Sequence, residues 1–205
     1  MTAAIAALLA SVARLLSGAT IQWVDWRPDI RQRVYFANHT SHLDFAILWS
    51  ALPKEVRALT RPVAAKDYWG VGKVRRYLAT SVFNAILVER GTADPEERAK
   101  QLDLLLETIG HRYSLIIFPE GTRGTGHEIG PFKSGLYHLS LKRPDLEMVP
   151  VHIENLNRIL PKGEFLPVPM LSRITFGPPI RVLDGEPKDG FLARAREAVR
   201  RLSQT

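Results

Sequence analysis

The amino-acid sequence predicts an α/β fold, a single-domain αβ sandwich with a mixed, largely parallel sheet flanked by helices. The first observation is alternation: short apolar runs typical of buried strands are separated by segments with helical periodicity. The second is size and composition, because 205 residues with 45% hydrophobic and 24% charged residues suit one domain with a substantial core. We therefore expect functional side chains beyond the carboxyl ends of the strands.

The chain opens with an apolar segment, and we assign residues 1–22 to a short N-terminal helix and residues 23–205 to the main domain. A helix that spans a bilayer needs roughly 20 apolar residues, and this run is shorter and contains Arg14. Two roles fit it: contact with a membrane surface, or packing of a plain helix against the domain. Its apolar residues recur at helical spacing, at Ile5, Leu8, Leu9, Val12, Leu15 and Leu16.

The main domain alternates predicted strands with predicted helices. The strand segments are apolar or β-branched, at 33–37, 59–65, 84–89, 114–118, 148–153 and 173–176. Pro62 weakens the second of them, since proline cannot donate a ladder hydrogen bond. The helical segments lie at 41–52, 67–79, 95–112, 134–141 and 191–202. The segments 121–130 and 154–169 are rich in Gly or Pro and are predicted to be loops.

The charge of the chain favours an anionic partner. Lys and Arg number 28 against 21 Asp and Glu, a formal net charge of +7. A membrane surface with anionic lipids or a phosphorylated substrate would suit this charge. No nucleic-acid-binding motif accompanies it, so we expect no nucleic-acid partner. The chain has no cysteine, which excludes a disulfide and a thiolate nucleophile.

A histidine and a carboxylate five positions apart form the first candidate site. His39 follows the apolar run 33–37, and Asp44 falls at the start of the next predicted helix. A carboxylate bonded to one ring nitrogen would orient the imidazole and leave the other nitrogen to take a proton from a hydroxyl. Ser41 and Asp44 also fit a capping box, so a purely structural role for Asp44 stays open. His42 lies too near Asp44 along the helix to share it, and we assign the base to His39.

Basic residues at other strand ends form the second candidate site. Arg90 follows the strand 84–89, and Arg123 follows the buried run 115–118. Arginine matches a phosphate with two parallel hydrogen bonds, so the two arginines would make one anion pocket. Glu120 would orient Arg123, bind a substrate hydroxyl, or simply close the loop as an ion pair. Lys133 either joins the pocket or is solvated. The remaining histidines lack metal-ligand spacing, and we predict no metal site.

Four ordered blocks of residues resemble one known family. The first is Asn38-His39-x-Ser41-x-x-Asp44, and the second is the apolar run 86–88 with Arg90 two positions later. The third is Phe-Pro-Glu-Gly-Thr-Arg at 118–123, and the fourth is Val-Pro-Val-His-Ile at 149–153. The chain is similar over about residues 33–180 to the PlsC-type glycerolipid acyltransferases, the lysophosphatidic acid acyltransferase family. It departs from them at Asn84, where a glycine is common.

The resemblance implies a role for each site residue. His39 would be the general base on the acceptor hydroxyl, and Asp44 would orient it. The acceptor phosphate would be held by Arg90, Glu120, Gly121, Thr122, Arg123 and Lys133. Ser41 and Pro150 are weaker candidates for the acyl-donor side or the wall of the site. No cofactor is implied, and acyl-CoA or acyl-ACP would serve as a co-substrate.

The resemblance further implies an acyl transfer in phospholipid biosynthesis. The best single expectation is transfer from an acyl carrier protein or coenzyme A thioester to 1-acyl-sn-glycerol-3-phosphate, which gives phosphatidic acid. Alternatives are another lysolipid acceptor, such as lyso-ornithine lipid or a lysophospholipid, or a non-catalytic lipid-binding module of the same fold. We expect a peripheral or monotopic protein on the cytoplasmic face of the cell membrane, in contact with anionic lipids.

Overall fold

A seven-stranded sheet forms the centre of the molecule. The computed structural model describes residues 5, 8, 11–13, 18–41, 44–89, 94–124, 128–154 and 172–204. The strand order is β1-β7-β6-β2-β5-β3-β4. Adjacent strands in the run β6-β2-β5-β3-β4 are parallel to each other. Strand β7 is antiparallel to β6, and β1 pairs in parallel with β7. The predicted mixed, largely parallel sheet is confirmed. The strands are β1 (Thr20–Trp23), β2 (Arg33–Ala37), β3 (Thr60–Ala65), β4 (Ile86–Val88), β5 (Ser114–Ile117), β6 (Glu147–Glu154) and β7 (Arg173–Phe176).

Helices cover both faces of the sheet, because the central strands are apolar on both sides. In β2, Tyr35 and Ala37 pack into the core cluster that contains α1, whereas Val34 and Phe36 pack into the cluster that contains α5, α6 and α7. This alternation is the period of a strand. The described helices are α1 (Asp44–Ala51), α2 (Lys54–Ala58), α3 (Lys66–Trp69), α4 (Lys73–Tyr77), α5 (Pro95–Ile109), α6 (Gly135–Lys142) and α7 (Lys188–Arg201).

Each predicted strand is present, and most bounds shift by only one or two residues. Pro62 lies within β3, where β5 pairs with residues 60–62 and β4 pairs with residues 63–65. The strand is thus paired on one side only at Pro62, and the missing N–H breaks no bond on the open side. Asn84 has φ +52°, a left-handed conformation that asparagine tolerates. It therefore occupies a turn that would otherwise favour glycine.

Two elements were not predicted, β1 and α2. The strand β1 pairs in parallel with β7 at the edge of the sheet, so the sheet begins at Thr20, before the predicted boundary at residue 22. The helix α2 has only five residues and buries only Val56. Both elements are too short to show a clear period in sequence. Trp23 stacks on Phe176, with ring centroids 3.8 Å apart, and so packs on the core.

The N-terminal segment is described at a few positions only. Ile5, Leu8 and residues 11–13 are helical. Ile5 and Ala13 pack against the core cluster that contains α1, whereas Leu8 is 63% exposed. In the part of the chain that the structure describes, no helix combines the length and apolar character needed to cross a membrane. The predicted loop at 154–169 lies outside the described residues, apart from Glu154 at the end of β6.

Candidate active site

His39 and Asp44 meet at the carboxyl end of β2. His39 lies in the turn that follows this strand, and Asp44 is the first residue of α1. The His39 Nδ1–H donates to Asp44 Oδ2 over 2.8 Å. This bond fixes the tautomer and leaves Nε2 with a free lone pair. No described residue bonds Nε2, and the His39 side chain is 22% exposed. The imidazole can therefore accept a proton from an incoming group.

Asp44 holds the turn as well as the imidazole. Its Oδ2 also accepts hydrogen bonds from the N–H groups of Thr40 and Ser41, at 2.6 and 2.9 Å. The carboxylate is fully buried, so these donors replace the water it has lost. The bond from Ser41 is one half of a capping box. Capping and orientation of His39 thus belong to the same carboxylate, and the two sequence interpretations are compatible.

Two further side chains fix the position of the His39 turn. The Asn38 side chain is buried and pairs with both backbone groups of Ile153, donating to its carbonyl and accepting from its N–H. These bonds, at 2.9 and 2.8 Å, tie the end of β2 to β6. Phe118, which follows β5, stacks on the His39 ring with centroids 4.4 Å apart. The ring is therefore held at its edge by Asp44 and across its face by Phe118.

Glu120 joins the His39 turn to the Gly-rich loop. Its Oε1 accepts from the His39 backbone N–H and its Oε2 from the Gly130 N–H, both over 2.8 Å. The Gly124 N–H donates to the His39 carbonyl, also over 2.8 Å. Neither bond of Glu120 engages Arg123, so the carboxylate braces two loops in this structure. A contact between Glu120 and a substrate hydroxyl stays a prediction.

Gly121 and Lys133 lie against each other beside this brace. Gly121 has φ +70°, which L side chains rarely adopt. A Cβ on Gly121 would fall on the end of the Lys133 side chain. The Lys133 N–H donates to the Pro119 carbonyl over 2.8 Å, which holds the returning loop against the end of β5. The absence of a side chain at Gly121 therefore leaves space for the lysine chain.

A cleft of about 180 Å³ opens in front of His39. Its wall combines aliphatic and aromatic side chains with polar groups, and Arg123 supplies a cationic group. Arg123 forms no ion pair or hydrogen bond with a described residue. An unpaired guanidinium beside a histidine and apolar side chains can hold an anion with a hydrocarbon portion. The lining residues are His39, Phe45, Val63, Ala64, Ala65, Tyr68, Trp69, Phe118 and Arg123.

The other predicted site residues lie in different surroundings. Thr122 and Lys133, with Glu120, line a second cleft that is formed in part by the Gly-rich loop. Pro150 lies opposite Phe36 in β6 and does not line either cleft that the structure describes. The prediction for Arg90 falls outside the described residues. Arg123 is therefore the predicted cation that the structure brings to His39.

The remaining described histidines show no second site. Burial of His152 in β6 lowers its pKa, because desolvation disfavours the charged ring. His152 is therefore neutral near pH 7. Among the residues that the structure describes, no three His, Asp or Glu side chains come together to hold a metal ion.

The comparisons with known proteins agree with this geometry. A family model described as acyltransferase matches residues 24–154. The chain belongs to this acyltransferase family. The match includes His39, Asp44, the 118–123 block and β6, and so covers the described part of the site. The resemblance to the PlsC-type group is confirmed by similar proteins that are named 1-acyl-sn-glycerol-3-phosphate acyltransferase.

Curated relatives are similar over part of their length. A 1-acyl-sn-glycerol-3-phosphate acyltransferase of Limnanthes douglasii is 28% identical over 156 residues, which cover 75% of this chain and 52% of that protein. The enzyme of the same name from Escherichia coli (strain K12) is 27% identical over 142 residues, 62% of this chain and 51% of that protein. The chain thus spans about half the length of these two curated relatives.

A solved structure shows the same fold. The crystal structure of the 1-acyl-sn-glycerophosphate (LPA) acyltransferase, PlsC, from Thermotoga maritima superposes with a TM-score of 0.73. The alignment covers 99% of this chain and 80% of that chain at 16% identity. At this identity the likeness shows the fold alone.

Sequence reasoning missed the aromatic wall of the cleft. Tyr68 and Trp69 lie in α3, the short helix that begins directly after β3 ends at Ala65. Phe45 contacts Trp69 edge-to-face, with ring centroids 4.9 Å apart. A signal was present, since residues after a parallel strand lie at the same sheet edge as His39. The prediction of one helical segment over 67–79, which Gly70 and Gly72 interrupt, did not draw on this signal.

Proposed function

We propose that the protein is an O-acyltransferase that moves a fatty acyl group from a thioester to the hydroxyl of a lysolipid. The observation that carries this proposal is the His39–Asp44 pair, held at 2.8 Å and facing a cleft lined by aliphatic and aromatic side chains together with Arg123. A proton acceptor serves a hydroxyl, apolar side chains suit an acyl chain, and an unpaired arginine suits a phosphate. Membership of the acyltransferase family supports the same reaction.

The reaction would proceed by direct attack. His39 Nε2 takes the proton from the acceptor hydroxyl as its oxygen attacks the thioester carbonyl carbon. The buried Asp44 carboxylate stabilises the imidazolium that forms. The tetrahedral intermediate then expels the thiolate, which receives the proton from His39 and leaves as a thiol. The products are an ester and a free thiol, and His39 returns to its neutral state. No covalent acyl-enzyme is required.

The best acceptor is 1-acyl-sn-glycerol-3-phosphate. Arg123 would bind its phosphate, and Arg90 would join it from the segment after β4. Proteins named 1-acyl-sn-glycerol-3-phosphate acyltransferase are the curated relatives reported above, which supports this choice. The donor would be acyl-CoA or acyl-ACP, without a cofactor. Since this acceptor is a lipid, we further propose that the protein works at the cell membrane, on its cytoplasmic face.

A donor-by-acceptor activity matrix tests this function. Purified protein is assayed for acceptor-dependent thiol release with acyl-CoA and acyl-ACP, against lysophosphatidic acid, lyso-ornithine lipid and lysophosphatidylcholine. EDTA is present throughout, because no step is assigned to a metal. We expect the highest kcat/KM with lysophosphatidic acid. Preference for another lysolipid would reject that acceptor, and lipid binding without turnover would reject the reaction.

The variant His39→Ala is the blank for this matrix. General acid–base catalysis contributes about 10²–10⁴-fold, so we expect its kcat to fall by that factor. His138→Ala is the matched control, because His138 is an exposed histidine on α6 that lines neither described cleft. It should keep wild-type turnover. If His39→Ala retains more than about a tenth of the activity, His39 is not the base.

A further inference from the structure

Residues 71–77 form an exposed apolar and basic segment beside the cleft. All seven are exposed, and they span the residues before α4 and α4 itself. Val71 and Val74 are 58% and 72% exposed. The helix continues as a π-helical turn at Leu78–Val82, in which Ala79 and Val82 are buried. The 71–77 segment is therefore anchored at its C-terminal end and presents apolar side chains to its surroundings.

The charge of this segment has a single sign. It contains Lys73, Arg75 and Arg76 and no acidic residue. Lys73 and Arg76 form no ion pair with the residues that the structure describes. Burial of these cations with the valines in a protein core would be unfavourable, because the charged groups would lose their hydration. They suit a surface where apolar groups enter a hydrocarbon layer while the charged ends remain among anionic headgroups.

The 71–77 segment is connected to the wall of the His39 cleft. The Arg75 guanidinium lies over the Tyr68 ring, 4.8 Å from its centroid. Tyr68 and its neighbour Trp69 line the cleft that contains His39. Whatever the segment binds would consequently lie next to the entrance through which an acyl chain reaches the base.

We propose that the 71–77 segment docks the protein on an anionic lipid bilayer. Val71 and Val74 enter the acyl boundary, Lys73 and Arg76 contact anionic headgroups, and Tyr77 lies at headgroup level. This extends the proposed function, on which it rests for the lipid nature of the acceptor. A bilayer is favoured over an acidic carrier protein because it offers an apolar layer to the two exposed valines as well as anionic groups to the cations. The docking would place the cleft entrance at the lipid surface.

Vesicle sedimentation tests the docking with two double variants. The probes are phosphatidylcholine vesicles with and without about one-third phosphatidylglycerol. Each cation near an anionic surface contributes roughly fivefold, so Lys73→Gln/Arg76→Gln should weaken binding to anionic vesicles by about 25-fold. Binding to neutral vesicles should not change. Val71→Ser/Val74→Ser should weaken binding to anionic vesicles by at least about tenfold. Thermal melting verifies that both variants fold.

Matched controls lie elsewhere on the surface. Ile30→Ser/Leu183→Ser removes two apolar residues that are 68% and 60% exposed. Lys54→Gln/Lys100→Gln removes two exposed lysines from α2 and α5. Both controls should bind vesicles as the wild type does. Losses equal to those of the 71–77 variants would overturn the proposal, since binding would then follow overall charge or apolarity.

Activity separates this proposal from the proposed function. With a short-chain lysolipid below its micellar concentration, Lys73→Gln/Arg76→Gln should keep wild-type kcat/KM. With the acceptor embedded in anionic vesicles, its kcat/KM should fall about as its vesicle affinity falls. If the wild type does not transfer acyl groups but its vesicle binding requires these residues, only the proposed function fails. If vesicle binding is unchanged and only acyl-ACP turnover falls, the segment binds the carrier protein and bilayer docking is rejected.

Discussion

The individual residue that decides the chemistry is Asp44, because one of its oxygens serves three donors. Oδ2 accepts from the His39 ring and from two backbone N–H groups of the turn. A buried carboxylate needs hydrogen-bond donors in place of the water it has lost. It is also rigidly placed, since it begins α1. The orientation of the imidazole is therefore set by a buried residue at the start of a helix.

Two substitutions separate the two roles of Asp44. Asp44→Asn removes the charge but keeps an oxygen for the backbone donors, so we expect kcat to fall by at least about tenfold. Asp44→Ala also removes the acceptor for the backbone N–H groups of the turn, so we expect the free energy of unfolding to fall by about 1 kcal/mol in addition to the loss of activity. That difference corresponds to about 2–4 °C in Tm for a chain of this size. Equal kcat for Asp44→Asn and wild type would show that the carboxylate is only a cap.

At the level of elements, the loop from Phe118 to Lys133 supports the turn of His39. Glu120, near the start of the loop, accepts hydrogen bonds from the backbone N–H groups of His39 and of Gly130, which lies near the end of the loop. Gly121 makes the sharp turn between them, in the left-handed region at φ +70°. The loop supplies the Glu120 carboxylate, the Phe118 ring that stacks on His39, and Arg123. Its conformation therefore sets the position of His39 and of the cation in the cleft.

The substitution Gly121→Ala tests that shape. A left-handed conformation costs an L residue about 1–2 kcal/mol, and the new Cβ would also displace the flexible end of Lys133. We expect Tm to fall by about 2–8 °C and KM for the lysolipid to rise. Gly135→Ala at the start of α6 is the matched control, because a Cβ there meets nothing within 4 Å. It should leave activity unchanged and raise Tm slightly. The same loss in both variants would contradict the argument.

Sequence prediction succeeded where an element has a strong local signal. The strand segment 173–176 is reproduced as β7, and Pro95 begins α5 as expected. It failed for β1, whose four residues form a strand only because β7 lies beside them. The aromatic wall of the cleft depends on the path of the chain after β3, which no local pattern encodes. The bracing role of Glu120 likewise depends on a backbone contact 81 positions away in the chain.

Across the whole molecule, the two ends of the strands have different roles. The carboxyl ends carry His39 and the loops around it. The amino ends carry Arg33, which is 1% exposed and pairs with Asp29 at 2.6 Å and Glu147 at 2.9 Å. This buried guanidinium also lies 4.9 Å from the ring centroid of Trp26. The pair with Glu147 joins β2 to β6, and the pair with Asp29 joins β2 to the segment before it. Both lie at the end of the strands opposite the site, so their loss should lower stability before it changes the chemistry.

Acid unfolding tests the amino ends of the strands. The Arg33 and Arg31 side chains beside Asp29 hold the pKa of that carboxyl well below its usual range. Ionised Asp29 therefore stabilises the fold above its unfolded-state pKa of about 4, and this contribution is lost as the pH falls through that value towards the lower folded pKa. At pH 7, Asp29→Asn should lower the free energy of unfolding by only about 1 kcal/mol, because the Asp29 side chain is 41% exposed and its ion pairs are partly screened by solvent.

The measurement is the urea midpoint of wild type and Asp29→Asn at pH 7, 5, 4 and 3. We expect the gap between the two midpoints to narrow as the pH falls from 5 to 3, because Asp29 takes up a proton in the unfolded wild-type chain and this reduces the stabilisation that the variant lacks at every pH. Asp184→Asn is the control, since Asp184 is exposed and forms no ion pair with a described residue. Its midpoint should run parallel to that of the wild type. A constant gap between Asp29→Asn and wild type down to pH 3 would mean that the ion pair with Arg33 does not stabilise the fold.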